Sequence, residues 1–198
     1  MFDYFALLDE PRRPWLDPEL LKTKFLALSS KVHPDRVHHA DEAERAAANS
    51  HYTEVNAAYN CLSELKDRLL HLLELERGVR PAALKNVPSE TMDLFAEVAQ
   101  LCREVDAFLT ERNRTTSPML KVQLFERGAE WTEKLKTVQQ KLKMRHDELT
   151  QELKLMNRSW GSPQNPKPLD RLEELYRHFS FLARWTEQLQ ERIVQLSI

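Results

Sequence analysis

The sequence predicts an all-α protein, and three features of the chain support this fold class. Only three glycines occur in 198 residues, and 30% of the residues are charged, a composition that favours water-exposed helices. Apolar residues recur every three or four positions over most of the length, which is the spacing of one helix face. Prolines, which end helices, separate these periodic stretches. We therefore expect a series of helices joined by short connections.

The first predicted helix is short, and the second is longer. Residues 3–8 form an apolar segment that Pro11 and Pro14 close. The second helix is expected to begin after Asp17, because an aspartate side chain accepts hydrogen bonds from the free N–H groups at a helix start. Pro18 then occupies the first helical position, where its fixed backbone geometry fits.

The second helix has an apolar face, and lysines lie on the rest of its surface. Its apolar face holds Leu21, Phe25, Leu28 and Val32, and its lysines are Lys22, Lys24 and Lys31. Pro34 disfavours helical geometry at the residue before it, so the helix is expected to stop at His33. The result is a stiff loop that presents His33 and Asp35 to solvent.

Two more helical patterns follow this loop. In residues 41–65, Val55 and Leu62 lie on one helix face. Residues 66–76 are rich in leucine and meet Gly78, a residue that commonly ends helices because it adopts left-handed backbone angles without strain. These two patterns complete the N-terminal part of the chain.

A change in composition marks the predicted domain boundary. Residues 77–88 contain a glycine and two prolines and lack helical periodicity, as is typical of a linker. We therefore predict an N-terminal domain of residues 1–76 and a C-terminal domain of residues 89–198.

Three long helical patterns make up the C-terminal domain. Ser89 is the expected N-cap of the first, and residues 117–156 form the second. The third follows a proline-containing loop, residues 159–168, and its apolar stripe runs from Leu172 to Leu196. Three amphipathic helices with a shared heptad-like spacing predict an antiparallel three-helix bundle.

The first and third of these helices carry more apolar surface than a bundle seam requires. The additional rows are Met92, Phe95, Ala99 and Cys102 on the first helix and His178, Phe181 and Trp185 on the third. One interpretation is a wide buried face, or packing against the N-terminal domain. The other is a surface that binds a partner, since exposed apolar clusters often mark interaction sites.

The N-terminal part resembles the J domain, the co-chaperone module that drives ATP hydrolysis in DnaK-type chaperones. Three segments carry the resemblance over roughly residues 1 to 75: DYFALL, the helix that ends in KVHPDR, and EVNAAYNCLSE. The chaperone-binding residues that it implies are His33, Pro34, Asp35, Lys22, Lys24, Lys31 and Arg36. A basic surface would steer docking onto an acidic patch of the ATPase. The alternative for the lysines is a solvated helix face without a partner.

A J domain joined directly to a three-helix bundle is similar to the HscB family of iron-sulfur co-chaperones. The segments MDLFAEVAQLCREVD, MRHDELTQEL and TEQLQERI extend the similarity into the C-terminal domain. The resemblance implies a protein that stimulates the ATPase of a DnaK/HscA-type chaperone and delivers an IscU-like scaffold protein to it during iron-sulfur cluster assembly.

The same resemblance implies where the scaffold would bind. The implied scaffold-binding residues are Met92, Phe95, Ala96, Ala99, His178, Phe181 and Trp185. Alanine stands at positions 96 and 99, where the family tends to have larger aliphatic side chains. The alternative function is therefore a J-domain co-chaperone that serves a different client protein.

Composition argues against several other classes. A net charge of −2 disfavours nucleic-acid binding. We find no apolar run near the roughly 20 residues that span a membrane and no secretory pattern, so we expect a cytoplasmic protein or a mature organellar form.

Cys61 and Cys102 are solitary, so neither a zinc site nor a cofactor is expected, and both are predicted to be small buried residues. A monomer and a weak dimer both remain open.

Two competing interpretations are a catalytic protein and a scaffold without a chaperone partner. An enzyme would use the cluster His33, Asp35, His38, His39 and Asp41 as a metal or acid–base site. These positions do not share a helix face, and a metal-binding motif such as HExxH is missing from the sequence. A scaffold explains the helices but gives the loop at His33 no role.

Overall fold

The chain is built from helices, as the sequence predicts. The computed structural model describes residues 2–37, 39, 41–81, 87–161 and 166–197. The helices are α1 (Tyr4–Leu7), α2 (Pro18–Val32), α3 (Glu42–Ser63), α4 (Leu65–Arg77), α5 (Met92–Arg114), α6 (Pro118–Ser159) and α7 (Leu169–Ser197), with 3₁₀ turns at Pro34–Val37 and Ser89–Thr91. No strand occurs in the described ranges, and the all-α fold class is confirmed.

Most helix ends follow the predicted local signals. The Asp17 carboxylate accepts hydrogen bonds from the N–H groups of Glu19 and Leu20 at 3.0 and 3.1 Å, and Pro18 opens α2. Gly78 closes α4 with a φ of +71°, an angle that costs glycine little because it has no Cβ atom. Short-range side-chain chemistry therefore sets these boundaries.

The start of α5 differs from the prediction that Ser89 is its N-cap. Ser89 lies inside a 3₁₀ turn, and α5 begins at Met92. The N–H group and the hydroxyl of Thr91 both donate to the carbonyl of Pro88, at 3.0 and 3.1 Å. These two bonds close a tight turn before α5, so the first α-helical residue comes three positions after Ser89.

The chain folds into two compact units. The first comprises Met1–Ala83 and Glu152–Tyr176, and the second comprises Leu84–Gln151 and Arg177–Ile198. Both α6 and α7 therefore contribute residues to each unit. The boundary at residues 77–88 stays a prediction, because residues 82–86 lie outside the described part of the chain. Residues 162–165 of the predicted loop before α7 also lie outside it.

In the first unit, α2 and α3 form an antiparallel hairpin. The rings of Phe25 and Tyr59 stack with centroids 4.1 Å apart, and those of His33 and Tyr52 meet edge to face at 5.1 Å. Contacts that advance along α2 while they retreat along α3 define antiparallel helices. The hairpin core consists of the buried side chains Leu21, Val55, Ala58 and Leu62. This hairpin with α1 and α4 is the predicted J-domain fold.

The first unit also contains the end of α6. The Trp15 N–H donates to the side-chain oxygen of Asn157 at 3.3 Å, and the Trp160 indole N–H donates to the carbonyl of Arg12 at 2.9 Å. The Lys154 ammonium lies 4.5 Å from the centre of the Trp15 ring, a favourable cation–π distance. The segment between α1 and α2 is therefore fixed by side chains that lie about 140 residues later in the sequence.

Ion pairs give the helix directions in the second unit. Lys141 pairs with Glu97 at 2.6 Å and Arg127 with Glu111 at 2.9 Å, so α5 and α6 are antiparallel. Arg192 pairs with Asp106 at 2.6 Å, while the ring of Trp185 lies near that of Phe95. Helix α7 is therefore parallel to α5, and the second unit is the up-down-up bundle that the sequence predicts.

Candidate functional site

The loop after α2 is a tight turn that the proline imposes. His33 has φ −61° and ψ 131°, an extended conformation that ends the helix, as expected for a residue before proline. Residues Pro34–Val37 then form a 3₁₀ turn, and the Arg36 N–H donates to the His33 carbonyl at 3.0 Å. The loop is thus more regular than the sequence indicated, and it has one defined shape.

Two contacts orient the His33 ring in this turn. Its Nδ1 atom accepts a hydrogen bond from the Asp35 N–H at 3.3 Å and lies 3.5 Å from an Asp35 carboxylate oxygen. The edge contact with Tyr52 of α3 fixes the plane of the ring. A neutral imidazole that accepts at Nδ1 carries its proton on Nε2, which leaves one N–H group for an external acceptor. His33 is half-exposed and Asp35 is exposed, so the expected presentation to solvent is confirmed.

The basic residues of α2 do not form a single stripe. Lys24 and Lys31 are seven residues apart and share a face, whereas Lys22 precedes Lys31 by nine residues and lies on the opposite side of the helix. The Lys24 ammonium donates to the Asp9 carbonyl at 2.5 Å and lies 2.9 Å from the Glu10 carboxylate. The Lys24 side chain is therefore bound to residues of the first unit, and the sequence pattern did not indicate these contacts.

Two basic side chains accompany the turn. Lys31 lies one residue before the end of α2 and is exposed. Arg36 lies in the turn itself, is exposed, and donates to the Ser30 carbonyl at 3.4 Å. Both positive charges therefore lie close in sequence to His33 and Asp35, where they favour an acidic partner surface.

The first residues of the additional apolar row of α5 are accessible to a partner, whereas Cys102 at the other end of the row is buried, as predicted for this cysteine. Met92 is 47% exposed and Phe95 is 39% exposed, and Ala96 is also exposed. Ala99 is half-buried one turn further along. The centre of the Phe95 ring lies 5.9 Å from that of Trp185 on α7. The partly exposed Phe95 ring therefore packs against a buried aromatic side chain.

The corresponding row of α7 is buried, and the expectation that it is accessible is wrong. His178 is 2%, Phe181 9% and Trp185 3% exposed. Because α7 runs parallel to α5, these side chains face α5: Trp185 contacts both Phe95 and Phe181. The His178 Nε2 atom lies 3.8 Å from the Glu90 carboxylate. On α7 the wide buried face, the other interpretation of this pattern, describes what the structure shows.

One polar cluster beside this row was not predicted. A Glu90 oxygen lies 2.6 Å from the Arg145 guanidinium of α6 and 3.8 Å from His178 of α7, and Arg145 also pairs with Glu148 at 3.1 Å. The cluster holds the turn before Met92 against two other helices. Sequence periodicity did not reveal it, because the residues come from three elements and share no helix face.

The enzyme interpretation rests on a cluster of His and Asp side chains around the turn. Among the residues that the structure describes, no group of three or more His, Cys, Asp and Glu side chains is placed to hold a metal ion. His38 of the proposed cluster lies outside the described residues. Burial raises the pKa of Cys61 to about 11, with Asp67 and Glu74 adding to the shift, so its thiol stays protonated at neutral pH. In the described ranges, helices long and apolar enough to cross a membrane are absent.

The hairpin with His33-Pro34-Asp35 at its turn, together with the three-helix bundle, defines a J-domain protein with a C-terminal bundle. Comparison with solved structures supports this fold. The chaperone HscB from Vibrio cholerae has a TM-score of 0.60 at 20% identity, with 98% of this chain and 99% of that chain covered. The human co-chaperone protein HscB has a TM-score of 0.62 at 21% identity, with 100% and 83% covered.

Sequence comparison gives the family. No family model matches the chain. A co-chaperone protein HscB homolog from Burkholderia thailandensis is 33% identical over 119 residues, which are 54% of this chain and 67% of the relative. Homologs of the same name from Burkholderia mallei and Azoarcus sp. are 35% and 36% identical, and the match covers 59% and 41% of their lengths. The chain spans about half the length of these two relatives. It belongs to the HscB co-chaperone family.

Proposed function

We propose that the chain is a co-chaperone that stimulates the ATPase of a DnaK/HscA-type chaperone and delivers an IscU-like scaffold protein to it during iron-sulfur cluster assembly. The observation that carries the proposal is the 3₁₀ turn at His33-Pro34-Asp35, at the end of the α2–α3 hairpin, which leaves His33 half-exposed and Asp35 exposed. Membership of the HscB family supports it. The two tasks fall on different parts of the chain.

Chaperone binding is assigned to the turn and its basic neighbours. The exposed Asp35 carboxylate accepts from a cationic or N–H group of the chaperone, and His33 donates through Nε2. Pro34 and the two hydrogen bonds of the turn hold this geometry before docking, which reduces the entropy lost on binding. Positive charge from Lys31 and Arg36 increases the association rate with an acidic surface.

Scaffold binding is assigned to the accessible row on α5. Met92 and Phe95 supply large apolar contacts, and Ala96 and Ala99 leave space in which a partner side chain could insert. Trp185 contacts the Phe95 ring and is itself contacted by Phe181, so these two buried residues position Phe95. His178 lies near Glu90 and positions the turn before Met92. The α7 residues of the sequence-based site are therefore assigned a positioning role.

A J-domain co-chaperone that serves a different client protein is the second candidate function, and one observation on α5 favours it. Ala96 and Ala99 leave more open space beside Met92 and Phe95 than the larger aliphatic side chains that the family tends to have at these two positions. A client with a complementary protrusion would fit the same row and use the same J domain. Comparing the scaffold with other apolar clients in the assay below distinguishes the two functions.

ATPase stimulation with matched variants tests the proposal. The full-length chain is added to a DnaK/HscA-type chaperone with and without an IscU-like scaffold. Asp35→Asn should abolish stimulation, whereas Glu130→Gln, which alters an exposed carboxylate on α6, should retain it. Normal stimulation by Asp35→Asn would refute the J-domain role. Stimulation that the scaffold never enhances, while another client does, would favour the alternative.

A further inference from the structure

Helix α6 begins with an apolar stripe that faces away from its own bundle. Met119, Val122 and Phe125 are 75%, 63% and 78% exposed. The buried residues of the same helix segment, Leu124 and Leu135, lie on the other side: Val122 precedes Leu124 by two residues, a rotation of about 200°. The bundle therefore does not account for these three side chains, and the proposed chaperone and scaffold contacts do not use them.

The spacing of the stripe is that of a short coiled-coil seam. Val122, Phe125 and Ala129 are three and four residues apart, as are the a, d and a positions of a heptad. Lys121 and Glu126 then occupy the flanking g and e positions, and both are exposed. In a parallel pair of helices, a g residue lies beside the e residue five positions later on the other helix. Lys121 of one copy would therefore meet Glu126 of a second copy.

We propose that this stripe is a self-association surface through which α6 pairs in parallel with α6 of a second copy of the chain. The stripe is Met119, Val122, Phe125 and Ala129, flanked by Lys121 and Glu126. The charges favour a second copy, because one stripe carries both members of the ion pair. Two-fold symmetry would form that pair twice, as an interface between identical surfaces requires.

The size of the stripe predicts a weak dimer. A buried aromatic side chain contributes roughly 150–250 Å² and the aliphatic Met and Val less than the top of that range, so three side chains exposed to this degree offer about 400 Å² per copy. Stable protein interfaces bury roughly 800 Å² per partner. The dimer should therefore form only at high protein concentration, and the chain should be largely monomeric when dilute.

Pairing at this stripe leaves the α5 row free. The ion pair between Arg127 and Glu111 places the start of α6 beside the end of α5. Glu111 follows Phe95 by sixteen residues, which corresponds to about 24 Å along a helix. Self-association and client binding therefore use separate regions of the second unit.

Sedimentation velocity of the full-length chain over a roughly hundredfold concentration range tests the proposal. The expected result is a monomer–dimer equilibrium whose dissociation constant Phe125→Ser raises about tenfold or more. Lys121→Glu should weaken the dimer, and Lys121→Glu combined with Glu126→Lys should restore it. Met144→Ser, which alters an exposed apolar residue of α6 outside the stripe, should change nothing. Circular dichroism confirms that each variant keeps its helices.

Several results would overturn the proposal. A monomer at every concentration would exclude self-association, and equal effects of Phe125→Ser and Met144→Ser would exclude the stripe as its surface. Failure of the double charge reversal to restore the dimer would exclude parallel pairing. Flotation with phosphatidylcholine–phosphatidylserine vesicles tests whether the stripe binds a membrane in place of a second copy. If the chain is monomeric and its binding to the vesicles depends on Phe125, the stripe is a membrane-binding surface and the proposal is wrong.

Discussion

The imidazole of His71 accepts a hydrogen bond from the backbone N–H of Tyr4, with 3.2 Å between Nε2 and the amide nitrogen. Its ring lies near those of Tyr4 and Phe5, at centroid distances of 4.7 and 5.8 Å. This contact fastens the four-residue helix α1 to α4. An imidazolium has no acceptor atom, so the contact exists only while His71 is neutral.

The stability of the protein should therefore fall at mildly acidic pH. Burial lowers the pKa of His71, against the opposing effects of the Asp3 and Glu74 carboxylates and in the same direction as Arg12. Folding therefore favours the neutral ring, and its contribution is present above the unfolded pKa of about 6.5 and is lost as pH falls through the folded pKa. Thermal unfolding should show a lower Tm near pH 5 than near pH 7.5.

Two histidine variants test whether His71 causes this pH dependence of the Tm. His71→Gln should have a smaller difference in Tm between the two pH values than the parent chain. His51→Gln, which alters a half-exposed histidine on α3, should keep the full difference. An equal pH dependence in all three proteins would show that His71 does not control it.

Phe181 should behave as a core residue. Truncating a buried phenylalanine costs about 3 kcal/mol or more of unfolding free energy, because a cavity remains, and Phe181 supports Trp185. Urea denaturation of Phe181→Ala should show this loss, while Val194→Ala, at an exposed position of the same helix, should change stability little. A loss below about 1 kcal/mol would contradict the buried position.

Phe95 should instead act in binding. Its ring is partly exposed and rests on Trp185, so Phe95→Ala should weaken binding of an IscU-like scaffold at least tenfold, about 1.4 kcal/mol or more. Calorimetric titration measures the affinity, and Met144→Ala serves as a control. The variant should retain stimulation of the chaperone ATPase without scaffold. Unchanged affinity in Phe95→Ala would place the client site elsewhere.

The two lysines on one face of α2 should differ in their effect on chaperone association. Lys31→Ala should lower the association rate at low salt and reduce its salt dependence, because an exposed charge steers encounter. Lys24→Ala should lower stability by about 1 kcal/mol or less through lost contacts with Asp9 and Glu10, with little effect on the rate. Stopped-flow measurement of the association rate separates the outcomes, and a Lys31→Ala rate equal to that of the parent chain would exclude the steering role of Lys31.

The helix boundaries were predictable where one residue determines them. Asp17 and Pro18 start α2, Pro34 stops it, and Gly78 ends α4, because capping and backbone restriction act over a few residues. Ser89 failed as a cap because the side chain and backbone of Thr91 offered the Pro88 carbonyl a competing turn. Local chemistry was sufficient unless a neighbour offered a better hydrogen bond.

The candidate site was less predictable, because burial depends on which element covers a face. Periodicity placed His178 and Trp185 in one row correctly, but it did not reveal that α5 runs alongside that row. Likewise, Lys24 had the spacing of an exposed lysine, and its partners at Asp9 and Glu10 come from a preceding loop. The turn at His33 was predictable because its exposure follows from its own proline.

The hydrogen bonds of Trp15 with Asn157, and of Trp160 with Arg12, limit how freely the hairpin could be exchanged between proteins. A chimera that replaces only the residues before the linker would keep Asn157 and Trp160 from one parent and receive their partners from the other. Recombination that preserves these contacts has to carry a portion of α6 along with the hairpin. In this chain the unit of modular exchange is therefore discontinuous in sequence.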